Sequence, residues 1–167
     1  MRTLRKCMTI FVLGILGVAS IQCQEKMFVM TIHALSPDGG IAKSGQNVVL
    51  EVRMLNNSQR ILTISEGNPT EDYVVQILDS SGLRPADTDY SLKLKKSAAS
   101  PGKILDANRS ISFQLKPGET GTDVIPISMM YDMRVPGKYS VKVERSLPRE
   151  LGAGVVRSNA VTITVTE

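Results

Sequence analysis

Residues 134–148 read RVPGKYSVKVERSLP. A Pro-Gly turn at Pro136-Gly137 leads into a run in which Tyr139, Val141 and Val143 alternate with Ser140, Lys142 and Glu144. Period-two alternation marks a strand buried on one face, because successive side chains point to opposite sides of a pleated sheet. No group in the stretch carries chemistry of its own. The reading is therefore architectural: a corner of an antiparallel β-sandwich, with the apolar face of this strand turned toward a second layer.

The same pattern recurs in both directions from this corner. Downstream, NAVTITVTE turns Val161, Ile163 and Val165 one way and threonines the other. Upstream, TDVIPISMM (Thr122 to Met130) is expected to present Ile125, Ile127 and Met129 on one face. Pro126 lacks the ladder donor, so that strand belongs at an edge or a bulge. SISFQL alternates and KPGETG turns; DYVVQILDSSG aligns Tyr73, Val75 and Ile77. NVVLEVRML sets Val48, Leu50, Val52 and Met54 against Glu51 and Arg53, and the NNS turn at Asn56 to Ser58 predicts a hairpin with RILTIS. FVMTIHAL opposes Phe28, Met30 and Ile32 to Val29, Thr31 and His33. Between Leu83 and Arg109 the pattern lapses into polar sequence punctuated by Pro85, Pro101 and Gly102, in which YSLKLK reads as a short edge strand. No segment after residue 24 has a helical period. Strands with turns between them and no interleaved helices predict an all-β antiparallel sandwich of about seven to nine strands.

PGKYSVKV followed by SNAVTITV resembles the last two strands of exported bacterial immunoglobulin-like and fibronectin-III-like domains, and LKPGET (Leu115 to Thr120) resembles the turn before them. The resemblance implies an immunoglobulin-like sandwich with Tyr139 as its tyrosine corner, hydrogen-bonded back to the chain that crosses between sheets. The order NNS, YVVQILDSSG, LKPGET, VPGKYSVKV is also similar, more faintly, to the BsuPI-type proteinase-inhibitor domain, although the tryptophan usual in the middle of that family is absent. That second likeness implies inhibition of a proteinase through a loop within residues 83–109.

The N-terminus predicts export. Arg2, Arg5 and Lys6 precede the apolar run Met8 to Ala19, and polar sequence resumes at Gln24. Such a run has the roughly 7–15 residue length of a signal-peptide core and is short for a spanning helix. Residues 1–23 are read as a signal peptide and 24–167 as one domain, periplasmic or extracellular. Two alternatives are an uncleaved leader and a lipid anchor on Cys23, the latter lacking the small residue usual before the modified cysteine. Both cysteines, Cys7 and Cys23, fall in this leader, so the domain must cohere by burial without a disulfide. Three of the 20 basic residues go with the leader and none of the 16 acidic ones, leaving 17 against 16 and a net charge of +1. A near-neutral domain gives no electrostatic ground for binding nucleic acid or an anionic membrane.

Catalytic inventory is sparse, and neither a catalytic residue, a cofactor nor a metal site is expected. His33, the one histidine, sits mid-strand on the solvent side, and no G-x-S-x-G, P-loop or G-x-G-x-x-G occurs. Ser100 to Lys103 matches S-x-x-K in spacing, but Pro101-Gly102 makes a turn where that chemistry needs a helix. Glu71-Asp72 and the pair Asp87 and Asp89 are loop carboxylates without a full calcium-loop spacing. Tyr73 and Tyr139 look buried, Tyr90 and Tyr131 exposed, and Met129-Met130 reads as core filler. What remains is protein contact. Lys93, Lys95, Lys96 and Lys103 cluster in the 83–109 segment as a basic surface for an unidentified protein partner, which makes the favoured reading a non-catalytic interaction or structural module.

Overall fold

Alternation becomes burial along the strands of the computed structural model, which describes residues 27–36, 39–67, 69–98, 111–151 and 154–167. The expected signal peptide, with Cys7 and Cys23, lies outside these residues. Ten strands are formed among them: β1 (Phe28–Ala34), β2 (Ile41–Lys43), β3 (Leu50–Asn56), β4 (Leu62–Glu66), β5 (Val74–Leu78), β6 (Ile111–Leu115), β7 (Thr120–Ile125), β8 (Gly137–Leu147), β9 (Gly154–Arg157) and β10 (Val161–Thr166). Helices α1 (Pro69–Asp72) and α3 (Ile127–Met130) are single turns, and α2 (Asp89–Ala98) is longer.

The strands form one sheet in the order β1-β3-β7, a second in the order β2-β10-β8-β5 with β9 also paired to β8, and a two-stranded ribbon β4-β6. Every pairing is antiparallel except β2 with β10. Phe28, Met30 and Ile32 of β1, Leu50, Val52 and Met54 of β3, and Ile125 of β7 are buried. So are Val75 and Ile77 of β5, Tyr139, Val141 and Val143 of β8, and Ile163 and Val165 of β10. These side chains belong to one hydrophobic cluster. The fold is all-β, its sheets sharing a core in an arrangement compatible with a β-sandwich.

Four local expectations are corrected. β3 and β4 do not form a hairpin: β3 pairs with β1 and β7, whereas β4 pairs with β6. The side chain of the fully buried Asn56 turns the chain instead. Its Oδ1 accepts from Ser58 N and Oγ, while Nδ2 donates to the carbonyls of Arg60 and Leu115. That last bond joins the β3–β4 crossover to the β6–β7 turn, where Gly118 (φ 80°) donates to Asn56 O. Second, Thr122 to Met130 is not one strand. β7 stops at Ile125, at the edge of its sheet among the described residues, and α3 follows Pro126. Ile127 and Met130 are consequently buried and Met129 is exposed.

Third, YSLKLK is helical, lying within α2. Its Leu92 and Leu94 share a spacing with a strand, but Ser91 is buried and Leu92 is exposed. Fourth, Tyr131 is buried, 4% exposed, with its hydroxyl donating to Val75 O at 3.1 Å. That bond occupies a carbonyl of β5, which is an edge strand of its sheet among the described residues.

Candidate functional site

Two places gather polar side chains, at opposite ends of β8, and both depend on where the 83–98 segment and the inward face of β8 lie. Lys93, Lys95 and Lys96 lie on α2, and Lys103 is outside the described residues. Thr88 caps the helix, its Oγ1 accepting from Ser91 N at 3.2 Å and donating to Met129 O. The approach to α2 is anchored. Asp87 bridges to Tyr131, Thr88 N donates to Met130 O, and Asp132 N donates to Ala86 O. Lys95 Nζ contacts Asp87 Oδ2 at 2.6 Å and Arg84 contacts Asp87 Oδ1 at 2.8 Å, while the Arg84 guanidinium lies 5.1 Å from the Tyr131 ring centre. The hydrogen bond from Lys95, followed by the charge of Arg84, holds the Asp87 carboxyl below the usual range. Tyr139 donates its hydroxyl to Val135 O at 2.7 Å, in the link that carries the chain from α3 to β8.

The first polar gathering grows out of the alternation of β8. The inward positions Tyr139, Val141 and Val143 continue in phase to Arg145, whose side chain is 6% exposed. Burial of a guanidinium demands partners. Arg145 Nη1 donates to Tyr73 Oη at 2.9 Å, Nη2 donates to Ser65 O at 2.8 Å, and the guanidinium carbon lies 4.9 Å from the centre of the Tyr73 ring. Tyr73 in turn donates its hydroxyl to Asp123 Oδ2 at 2.6 Å. Asp123 shares the inward phase of Gly121 and Ile125 on β7. Two carboxylates stand near the guanidinium without direct short contact, Asp72 Oδ2 at 3.8 Å and Asp123 Oδ2 at 4.0 Å. Asp72 also accepts from Gly67 N.

Glu66, at the end of β4, completes the group. Burial, then the charge of Asp123 and a hydrogen bond with it, push its carboxyl up to about 7 against the pull of Arg145. Burial, then the bond to Asp123, raises the Tyr73 phenol, which stays protonated as the donor. One cation therefore braces β4, α1, β7 and β8 amid three acids. Among the described residues no set of three or more His, Cys, Asp or Glu is placed to hold a metal ion.

The second gathering is an open pocket of about 470 Å³ at the start of β8, lined by Asn47, Thr88, Asp89, Tyr90, Ser128 and Arg134 among others. Its strongest ion pair is internal. Arg134 Nε and Nη2 reach the two oxygens of Asp132 at 2.9 and 2.7 Å, and these bonds draw the Asp132 carboxyl down to about 2. Of the other acids singled out in the sequence, Asp89 lines the pocket, Asp72 serves the Arg145 group and Asp87 is paired with cations. His33 is exposed, opposite Glu51 in the β1–β3 register, and Ser100 to Lys103 lies outside the described residues.

Sequence reading missed the Arg145 group, although a signal was present. Arg145 and Asp123 occupy the phase of buried apolar residues in their strands, and a charge in that phase has to be partnered inside. The partners themselves are up to 80 positions away and share no local motif. In comparison with known proteins, the chain matches no family and no curated protein.

Proposed function

We propose that the chain is an exported, non-catalytic immunoglobulin-like module that binds or supports other proteins of the cell envelope or the secreted fraction. The observation that carries the reading is the path of the first strands. β1 pairs in one sheet with β3, after which β2 joins the other sheet in parallel to the last strand, β10. In immunoglobulin terms β1-β3-β7 correspond to strands A-B-E, and β5, β8 and β10 to C, F and G, with β2 as the continuation of A. The Tyr139 bond to Val135 fits a tyrosine corner at the start of F. The β4–β6 ribbon and α2 are departures from that plan. Export rests on the sequence of residues 1–23, and protein contact on the exposed lysines Lys93, Lys95 and Lys96 that α2 carries.

Cross-linking in an exporting host, followed by mass spectrometry of the linked peptides, tests the reading. One recurrent partner joined through the same face supports it; turnover of a small molecule that depends on His33 refutes it. An inhibitor would have to present an extended loop, and α2 occupies residues 89–98 of the segment expected to supply one.

A further inference from the structure

The β4–β6 ribbon is paired to neither large sheet among the described residues, so side chains must hold it down at its ends. At one end Asn56 Nδ2 grips Leu115 O. At the other, Arg145 Nη2 grips Ser65 O and its Nη1 stands 4.0 Å from Asp123 of β7, while the next residue of β4, Glu66, turns inward in phase with Leu62 and Ile64. We infer that this second end is a pH-responsive latch: a proton shared by Glu66 and Asp123 seats the ribbon on β7, and ionisation of both carboxylates loosens it. Glu66 lies between Ser65, whose carbonyl takes Arg145 Nη2, and Gly67, whose amide donates to Asp72, so three acids crowd one guanidinium. The charged groups that act on Glu66 are Asp123 from β7, Arg145 from β8 and Asp72 from α1; the residue opposite it on β6 is Ile111.

With every carboxyl ionised, three negative charges face one guanidinium that is already 6% exposed and hydrogen-bonded elsewhere. Like charges this close and this shielded from water favour the neutral form of one member. Glu66 is the member that takes it, because Asp123 already accepts from Tyr73 Oη and Asp72 from Gly67 N, and its carboxyl is accordingly raised, to about 7. The Asn56 end is held by amide and backbone bonds, and the charges of its β6–β7 turn, Lys116 and Glu119, are paired with each other, which makes it the hinge and the Glu66 end the part that lifts. The device is independent of the export reading.

Hydrogen exchange of the purified protein at about pH 5.5 and about pH 8, corrected for intrinsic exchange chemistry, reads the latch directly. Amides of Leu62–Glu66 and Ile111–Leu115 are expected to lose protection about ten-fold or more on the alkaline side, as one ionisation shifted by a unit or more requires. Amides of Val161–Thr166 should stay far better protected than the ribbon at both pH values. Glu66→Gln keeps a hydrogen bond to Asp123 without a titrating proton, so the ribbon should be equally protected at both pH values. Asp123→Asn provides the same reading from the opposite strand should the first variant not fold. Equal wild-type protection at both pH values overturns the latch, as does a wild-type response retained in both variants. A ribbon as well protected as β10 at both pH values also overturns it, since its exchange then runs through global unfolding.

Discussion

Asn56 shows how much one side chain can organise. With no exposure to solvent it satisfies two carbonyls and two donors, and it lies where the chain leaves one sheet for the ribbon. Asn56→Ala leaves the Leu115 carbonyl and the Ser58 amide without that partner. An orphaned buried polar group costs about 1–3 kcal/mol, so a loss of about 2–3 kcal/mol is expected, read as a lower urea midpoint at unchanged slope. Asn159 plays a comparable part at β1. Its Oδ1 accepts from Ile32 N at 2.8 Å and its Nδ2 donates to Ile32 O at 3.3 Å, so the amide stands in for a neighbouring strand along the edge of β1. Asn159→Ala should cost about 1–2 kcal/mol by the same reasoning, with Asn159→Asp recovering only the bond from Ile32 N. Neither role is visible in the sequence, because Asn-Asn-Ser and Ser-Asn-Ala carry ordinary turn propensities and the acceptors that matter are remote in the chain.

Elements were legible where alternation and burial coincide. β1, β3, β5 and β8 each put the expected side chains inside, and β10 does so for Ile163 and Val165 with Val161 partly buried at its start, because both faces of those strands were written in local order. α2 escaped because Leu92 and Leu94 are spaced for a strand, and its helical conformation is favoured by the Thr88 cap and by anchoring at Tyr131. The β3–β4 hairpin was misread for a different reason: a turn signal fixes where a chain bends but leaves open which strand it then meets. Ribbon packing has a clear marker at Gly121 of β7. A Cβ there would stand 3.1 Å from Cε2 and 3.3 Å from Cζ of the Phe113 ring on β6. Gly121→Val should therefore cost about 1–3 kcal/mol through overpacking. Phe113→Leu in the same chain should return part of that loss, and thermal unfolding of the two single variants and the double variant measures the coupling. If the variants instead add independently, β6 does not pack on β7 through this contact.

At the scale of the whole molecule, oppositely shifted carboxyls bound the pH range of greatest stability from two sides. Glu66 is raised from 4.5 to about 7 by burial and by Asp123, so the folded chain holds its proton more tightly than the unfolded chain. Its contribution is complete below 4.5 and is lost as pH rises toward 7. Asp132, lowered from 3.8 to about 2 by Arg134, works in the other sense: its contribution is present above 3.8 and disappears as pH falls through 2. Asp87, held down by Lys95 and Arg84, and Asp79, held down by Ser81 and the Leu83 amide, add to the acid side with the same sign. These three aspartates are partly exposed at the surface, where solvent screens each pair and keeps the acid limb shallow. Stability should therefore peak in mild acid between the two limbs, and calorimetry across the range should find Tm falling from there toward neutral pH and again in strong acid. Glu66→Gln should flatten the neutral limb and leave the acid limb in place, because the Asp132–Arg134 pair lies at the pocket end of β8 and does not touch the Arg145 group. Asp132→Asn should do the reverse. A profile in which either substitution alters both limbs equally would mean that the two ends of the strand titrate as one system.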